Sequence, residues 1–166
     1  EPGAVQKSYL ALVEGEWPLA DGESELVDLP IGPDERRSGR MRVDRADGKP
    51  SQTRFTVEER FEGYTLMRAE PLTGRTHQIR VHAREVGFPL AVDAVYGRRS
   101  TMALSEFKRS YKAKRGHVEA PLMQRQTLHA ASILFPGVDG RPVRVEAPLP
   151  KDYLRLLKQL RKYRAT

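Results

Sequence analysis

Tyr64-Thr65-Leu66-Met67-Arg68-Ala69-Glu70 runs into Pro71-Leu72-Thr73-Gly74-Arg75-Thr76-His77-Gln78-Ile79-Arg80-Val81-His82, and the hydrophobic period changes between the two. The first run is apolar and β-branched, as a strand requires. Beyond Gly74, Ile79, Ala83 and Val86 fall at helical spacing, Thr76 is placed to cap, and Gly87-Phe88-Pro89 is placed to stop. The spacing predicts a helix over 77–86. Upstream, 52–61 is strand-like and Gly63 breaks it. Residues 52–61 and 64–70 therefore read as an antiparallel pair delivering the chain to the helix.

Working outward, Lys7-Ser8-Tyr9-Leu10-Ala11-Leu12-Val13 is a second short β-compatible run, ended by Glu14-Gly15. Residues 17–50 are rich in Gly, Pro, Asp and Arg and read as an exposed excursion, with a short buried segment near Leu26-Val27-Asp28-Leu29. Residues 98–126 concentrate Lys and Arg in a context of low hydrophobicity and read as a basic mobile insertion. Strands over 128–135 and 143–147 flank the Asp139-Gly140 turn as a hairpin. The chain closes on an amphipathic helix over 152–163, striped by Leu154, Leu157 and Leu160. The expected class is α+β, a mixed, mainly antiparallel sheet flanked by helices.

The 166 residues suit one domain, and 29 Lys+Arg against 22 Asp+Glu give a formal charge of +7. That bias favours a polyanionic partner such as nucleic acid. With no cysteine, disulfides and thiolate metal sites are excluded, and a reducing cytoplasmic setting is the simpler expectation. No apolar run approaches the roughly 20 residues that span a bilayer, so no membrane partner is expected. His77 and His82 are five apart and fall on different helix faces, unlike the i,i+4 pair of zinc-protease helices, so no metal is expected.

The string Thr73 to His82 closely resembles the third motif of RluA-like RNA pseudouridine synthases. Three further matches follow the family's order: Lys7-Ser8-Tyr9-Leu10-Ala11; Gly87-Phe88-Pro89-Leu90-Ala91-Val92-Asp93-Ala94-Val95-Tyr96-Gly97; and Leu128-His129-Ala130 leading to Glu146-Ala147-Pro148-Leu149-Pro150. The resemblance implies isomerisation of uridine in structured RNA, ribosomal or transfer, without cofactor. The glycosidic bond breaks, the base rotates, and a carbon–carbon bond replaces it, with an aspartate as the essential group. The target nucleotide must leave its stack, which costs a few kcal/mol, and be held beside that carboxylate.

Carried over by position, Tyr9 resembles the tyrosine that packs against the uracil and assists proton removal at its carbon, and Arg80 the arginine that grips the catalytic aspartate. A guanidinium suits that role because it stays charged and binds a carboxylate through two parallel bonds. Leu128 resembles the aliphatic residue against the base, although a core leucine would look the same. Arg75, Thr76 and His77 are candidates for substrate contact, with a plain polar helix surface as the alternative. Gly74 with Thr73 and Thr76 either presents amides to a phosphate or simply turns and caps. Arg84, Arg98, Arg99, Lys108 and Arg109 are candidate RNA-backbone contacts, with Phe107 and Tyr111 as stacking residues. Val92 stands where the family has glycine before Asp93, which puts the shape of that turn in question.

The family's His-Arg-Leu-Asp motif has no counterpart in this sequence, which opens on Glu1-Pro2-Gly3 without a Met. Two expectations follow. Either residues 1–166 are the C-terminal portion of a catalytic domain whose N-terminal half, with the aspartate, lies elsewhere, or the chain is an inactive RNA-binding module. A DNA-binding regulator would fit the charge but has neither helix-turn-helix nor zinc spacing to recommend it.

Overall fold

The computed structural model describes residues 5–112 and 115–166; the first four residues and positions 113 and 114 of the basic stretch lie outside them. Eight strands and two α-helices follow in order: β1 Gln6–Glu14, β2 Ser24–Asp28, β3 Ile31–Pro33, β4 Met41–Val43, β5 Gln52–Phe61, β6 Tyr64–Pro71, α1 Gln78–Glu85, β7 Leu128–Pro136, β8 Pro142–Glu146 and α2 Lys151–Tyr163. Six strands form one sheet in the order β2-β5-β6-β1-β7-β8, every neighbouring pair antiparallel. Strands β3 and β4 make a separate hairpin.

Alternation along β1 sorts the core into two layers. Ala11 and Val13 join Phe55, Val57, Met67, Ile79 and Ala83 beneath α1, with Tyr9 packed at the margin. Leu12, with Leu10 beside it, faces Phe61, Leu66 and the α2 stripe of Tyr153, Leu156, Leu157 and Leu160. Each face of the central strand is thus covered by one helix. Tyr9 sits where the α1 layer runs out. The pairing of β1 with β7 slips between Ser8 and Tyr9, so Ser8 faces Ser132 while Tyr9 faces Ala130. Such a bulge re-aims a side chain at the rim of a sheet.

Four expectations change. Residues 17–50 are not a bare excursion: Trp17 and Ile31 are buried, Trp17 stacks on Phe88 at 4.8 Å, and β2 extends the sheet beside β5. Within 98–126, Met102, Phe107 and Met123 are buried in the α2 layer and Met102 bridges Met123, while positions 113 and 114 lie outside the described residues. Phe107 is core, not a stacking platform. In α2, Leu154 is half exposed and Tyr153 and Leu156 take its place in the stripe. Finally, α1 begins at Gln78, one residue later than the spacing suggests. Its N-cap is His77 in the left-handed region (φ 57°), and Thr76 makes no capping bond.

The turn in question closes with Val92 in place. Asp93 Oδ1 accepts the amides of Val95 (2.9 Å) and Tyr96 (3.1 Å), and Gly97 N–H donates to Asp93 O. Val92 itself is buried and has no positive φ. The glycine that matters is Gly97, where a Cβ would lie 2.7 Å from the Asp93 carbonyl oxygen.

Candidate active site

Gln78 builds the turn that opens the site. Its Oε1 accepts from Thr73 Oγ1 (2.7 Å) and Arg75 N (3.0 Å), and its Nε2 donates to Gln52 O (2.7 Å) and Thr53 Oγ1 (3.0 Å). Both donors and both acceptors of the amide are satisfied inside the fold. The Thr73–Arg75 turn is thereby stitched to β5. Because the Arg75 amide is taken by Gln78, a plain turn fits better than a cradle of free amides at this point. The bonding continues inward: His82 is buried with Nδ1 2.9 Å from Thr53 Oγ1 and Nε2 2.8 Å from Leu29 O. A carbonyl only accepts, so Nε2 carries the proton. Burial holds the His82 pKa below its ordinary value, partly offset by the Leu29 carbonyl and by Asp28 and Glu85.

One turn along α1, Arg80 reaches back to Asp93. Its Nε and Nη2 donate to Oδ2 (2.7 Å) and Oδ1 (2.8 Å) of a carboxylate that is 1% exposed. Burial works against charge on Asp93, but the Arg80 bonds and the Tyr96 and Val95 amides outweigh it and hold the carboxyl below the usual range. The same bonds raise the Arg80 pKa. Among the described residues the bidentate grip of Arg80 is taken by Asp93. Its Nη1 makes no hydrogen bond among the described residues and is the edge left for another group. Tyr96 stands between, with the Arg80 guanidinium 4.8 Å and that of Arg40 5.2 Å from its ring centre.

Tyr9, Arg75, His77, Arg80 and Leu128 all line one cleft of about 390 Å³, joined by Lys7. Five candidate residues from three separate segments therefore converge. Among the described residues no Asp or Glu lines the cleft, whose charged walls, Lys7, Arg75 and Arg80, are all cationic. Thr76 opens instead onto a smaller neighbouring hollow beside Lys49 and Asp47. A larger cleft of about 570 Å³ lies across β1, β7 and β8, lined by the motif residues Lys7, Ser8, Leu10 and Glu146 to Pro148; there Arg68 pairs with Glu58 and Arg144 with Glu146, and Glu70 adds a further carboxylate.

The remaining candidates separate. Arg84 and Arg98 share a cleft wall with Arg37 and Arg40, and a second cleft adds Arg36 and Arg42 to Arg84. Arg36, Arg37, Arg40 and Arg84 face no carboxylate within ion-pair distance among the described residues, whereas Arg42 pairs with Asp44 at 3.1 Å. Arg98 pairs with Glu14 at 3.5 Å, and Arg99 with both Glu14 and Glu106. Arg109 pairs with Glu62, and Lys108 lies over the Tyr163 ring, so both belong to the α2 side of the sheet rather than to the cleft. Sequence reading missed the hairpin arginines, although four within seven residues, Arg36 to Arg42, were signal enough. It also missed Asp93 as the Arg80 partner.

Residues 2–85 match the family described as RNA pseudouridylate synthase. The chain is 41% identical over 161 residues to ribosomal large subunit pseudouridine synthase C of Yersinia pestis and 42% identical over 165 to that of Escherichia coli K12, covering 96% of this chain and 45% and 46% of the two relatives. It thus spans less than half the length of these curated relatives. Among solved structures, human RNA pseudouridylate synthase domain containing 1 aligns with a TM-score of 0.65 at 28% identity, covering 88% of this chain and 55% of that one. Human RNA pseudouridylate synthase domain containing 4 shares the fold (TM-score 0.63, 22% identity), covering 95% of this chain and 62% of its own. The motif order, the convergence of Tyr9, Arg80 and Leu128 on one cleft, and these likenesses agree: the chain belongs to the RNA pseudouridylate synthase family, within the RluA-like group that its Thr73–His82 motif resembles.

Proposed function

We propose that this chain forms the base-holding, cationic half of the active site of an enzyme that converts uridine to pseudouridine in structured RNA, with large-subunit ribosomal RNA as the substrate class. The observation that carries the reading is the cleft itself. It offers an aromatic ring and an aliphatic wall of the right kind for a flipped base, three cations, and no carboxylate. Tyr9 packs against the uracil, Leu128 closes the other side, and Lys7, Arg75 and Arg80 meet the phosphates and the developing negative charge.

The reaction is an internal rearrangement. The N1–C1′ bond breaks, the C5–C1′ bond forms, a proton leaves C5, and N1 gains one, so the product has the composition of the substrate. A carboxylate beside C1′ is the group the chemistry needs. Here it comes from residues outside the 166 and docks on the free Nη1 edge of Arg80, which stays charged because Asp93 anchors it. Asp93 itself is enclosed behind Arg80 and serves as that anchor. The unpaired arginines of the hairpin, with Arg84 and Arg98, provide a track for the flanking backbone.

The test pairs two preparations. The chain alone binds structured RNA with strong salt dependence and yields no pseudouridine; the full-length protein carrying it converts uridine. Pseudouridine formed by the chain alone, or RNA affinity insensitive to salt, contradicts the reading.

A further inference from the structure

His77 combines three features that the assignments above leave unused: a left-handed backbone (φ 57°) found at no other non-glycine among the described residues, a place in the cleft wall, and a buried hydrogen-bond partner. Its Nδ1 lies 2.8 Å from the Tyr96 hydroxyl. The same hydroxyl oxygen accepts the Met41 backbone N–H at 2.8 Å. Met41 N–H can only donate, so Tyr96 Oη receives that bond and has one proton of its own to place. Among the described residues, the acceptor within reach is His77 Nδ1. If Nδ1 carried the imidazole proton, Tyr96 would accept twice and its own proton would have no partner.

The ring therefore keeps its proton on Nε2, which makes no hydrogen bond among the described residues and is not enclosed. Tyr96 is a rigid arbiter: it is 4% exposed, its amide is held by Asp93, its ring is flanked by Arg40 and Arg80, and the His77 ring meets it edge-on at 5.4 Å. Burial, and then the Arg80 charge, lower the His77 pKa and favour the neutral form.

We propose that Tyr96 is a positioning residue that locks neutral His77 in its Nε2–H tautomer, and that His77 donates this proton in a hydrogen bond to an acceptor oxygen of the nucleotide in the cleft. The donor's aim is set by the left-handed turn, and its polarity by a phenol that the β3–β4 hairpin orients through Met41. The nucleotide part rests on the proposed function; the tautomer does not.

Two measurements separate them. Nitrogen-15 NMR of the imidazoles in the chain shows His77 protonated on Nε2 at neutral pH, and Tyr96→Phe gives a mixture of tautomers without loss of the sheet's amide pattern. Protonation on Nδ1 in the unsubstituted chain, or an unchanged single tautomer in Tyr96→Phe, overturns the lock. In the full-length protein, His77→Gln puts an amide N–H near the Nε2 position, whereas His77→Asn puts it near Nδ1. Asparagine tolerates the left-handed turn better, so folding alone would favour it. RNA conversion by His77→Asn falls roughly tenfold below that of His77→Gln, as expected for an unmet hydrogen bond. Equal or better conversion by His77→Asn overturns the donor role. If the unsubstituted full-length protein makes no pseudouridine, it is the proposed function that fails, and the NMR result stands apart.

Discussion

Two polar networks share helix α1 and differ in how complete they are. On the sheet side, Gln78, Thr53 and His82 satisfy one another and end on Leu29 O. On the cleft side, Asp93, Arg80, Tyr96 and His77 are linked just as tightly, yet Arg80 Nη1 and His77 Nε2 stop at the cleft without a partner among the described residues. A closed network buried in low dielectric holds a shape, and each deletion leaves an unmet group. A network with open ends is half of an interaction. The difference predicts which substitutions cost folding and which cost chemistry.

The cleft side should show the larger effects. Tyr9→Phe in the full-length protein lowers conversion of uridine by roughly 10²–10⁴-fold, the range for removing a group that moves a proton, with an unchanged unfolding midpoint. Wild-type conversion by this variant would move Tyr9 from the chemistry to the core. Arg80→Ala follows, because it strands a carboxylate that is 1% exposed; unfolding free energy falls by about 3–5 kcal/mol, measured in urea. The double change Arg80→Met with Asp93→Asn recovers most of that stability, since the asparagine oxygen still accepts the Val95 and Tyr96 amides, but it recovers no activity. Return of activity with stability would show that the pair only braces the turn.

The sheet side predicts the reverse. His82→Leu leaves Thr53 and Leu29 O without their partner and costs about 2 kcal/mol, while activity per folded molecule is kept. The folded pKa of His82 lies below the unfolded value near 6.5, so the unfolded chain binds the extra proton first. Its contribution is full above about pH 6.5 and is lost as pH falls through the folded pKa. His82→Leu should flatten that limb of a stability–pH curve; an unchanged limb would place the titration elsewhere. The smallest effects belong to the hairpin. Arg37→Ala and Arg40→Ala each reduce the salt slope of RNA binding by about one and weaken affinity alike for different sequences. A sequence-dependent loss would mean that these arginines read bases.

Much of this was legible in the sequence, and the exceptions have physical reasons. Strands β1, β5, β6, β7 and β8 announce themselves by alternation and turn residues, and the cleft residues Tyr9, Arg80 and Leu128 by motif. The one-residue shift of α1 was not readable, because it depends on His77 accepting a left-handed backbone in exchange for Tyr96. The partner of Arg80 was not readable either. Position in a pattern cannot say which carboxylate a guanidinium will reach, and Asp93 is brought to it by a turn thirteen residues on. Within 98–126 the burial of Met102, Phe107 and Met123 was not readable, because each sits in a stretch that is otherwise polar.

The central claim is that the cleft is competent but lacks its carboxylate. Pseudouridine in large-subunit ribosomal RNA, scored site by site after chemical labelling and reverse transcription, tests it most directly, comparing this chain, the full-length protein and the full-length Arg80→Met/Asp93→Asn variant. The account predicts conversion by the full-length protein alone, with RNA binding retained by all three. Conversion by the 166-residue chain, or by the doubly substituted protein at the rate of the unsubstituted one, would contradict it.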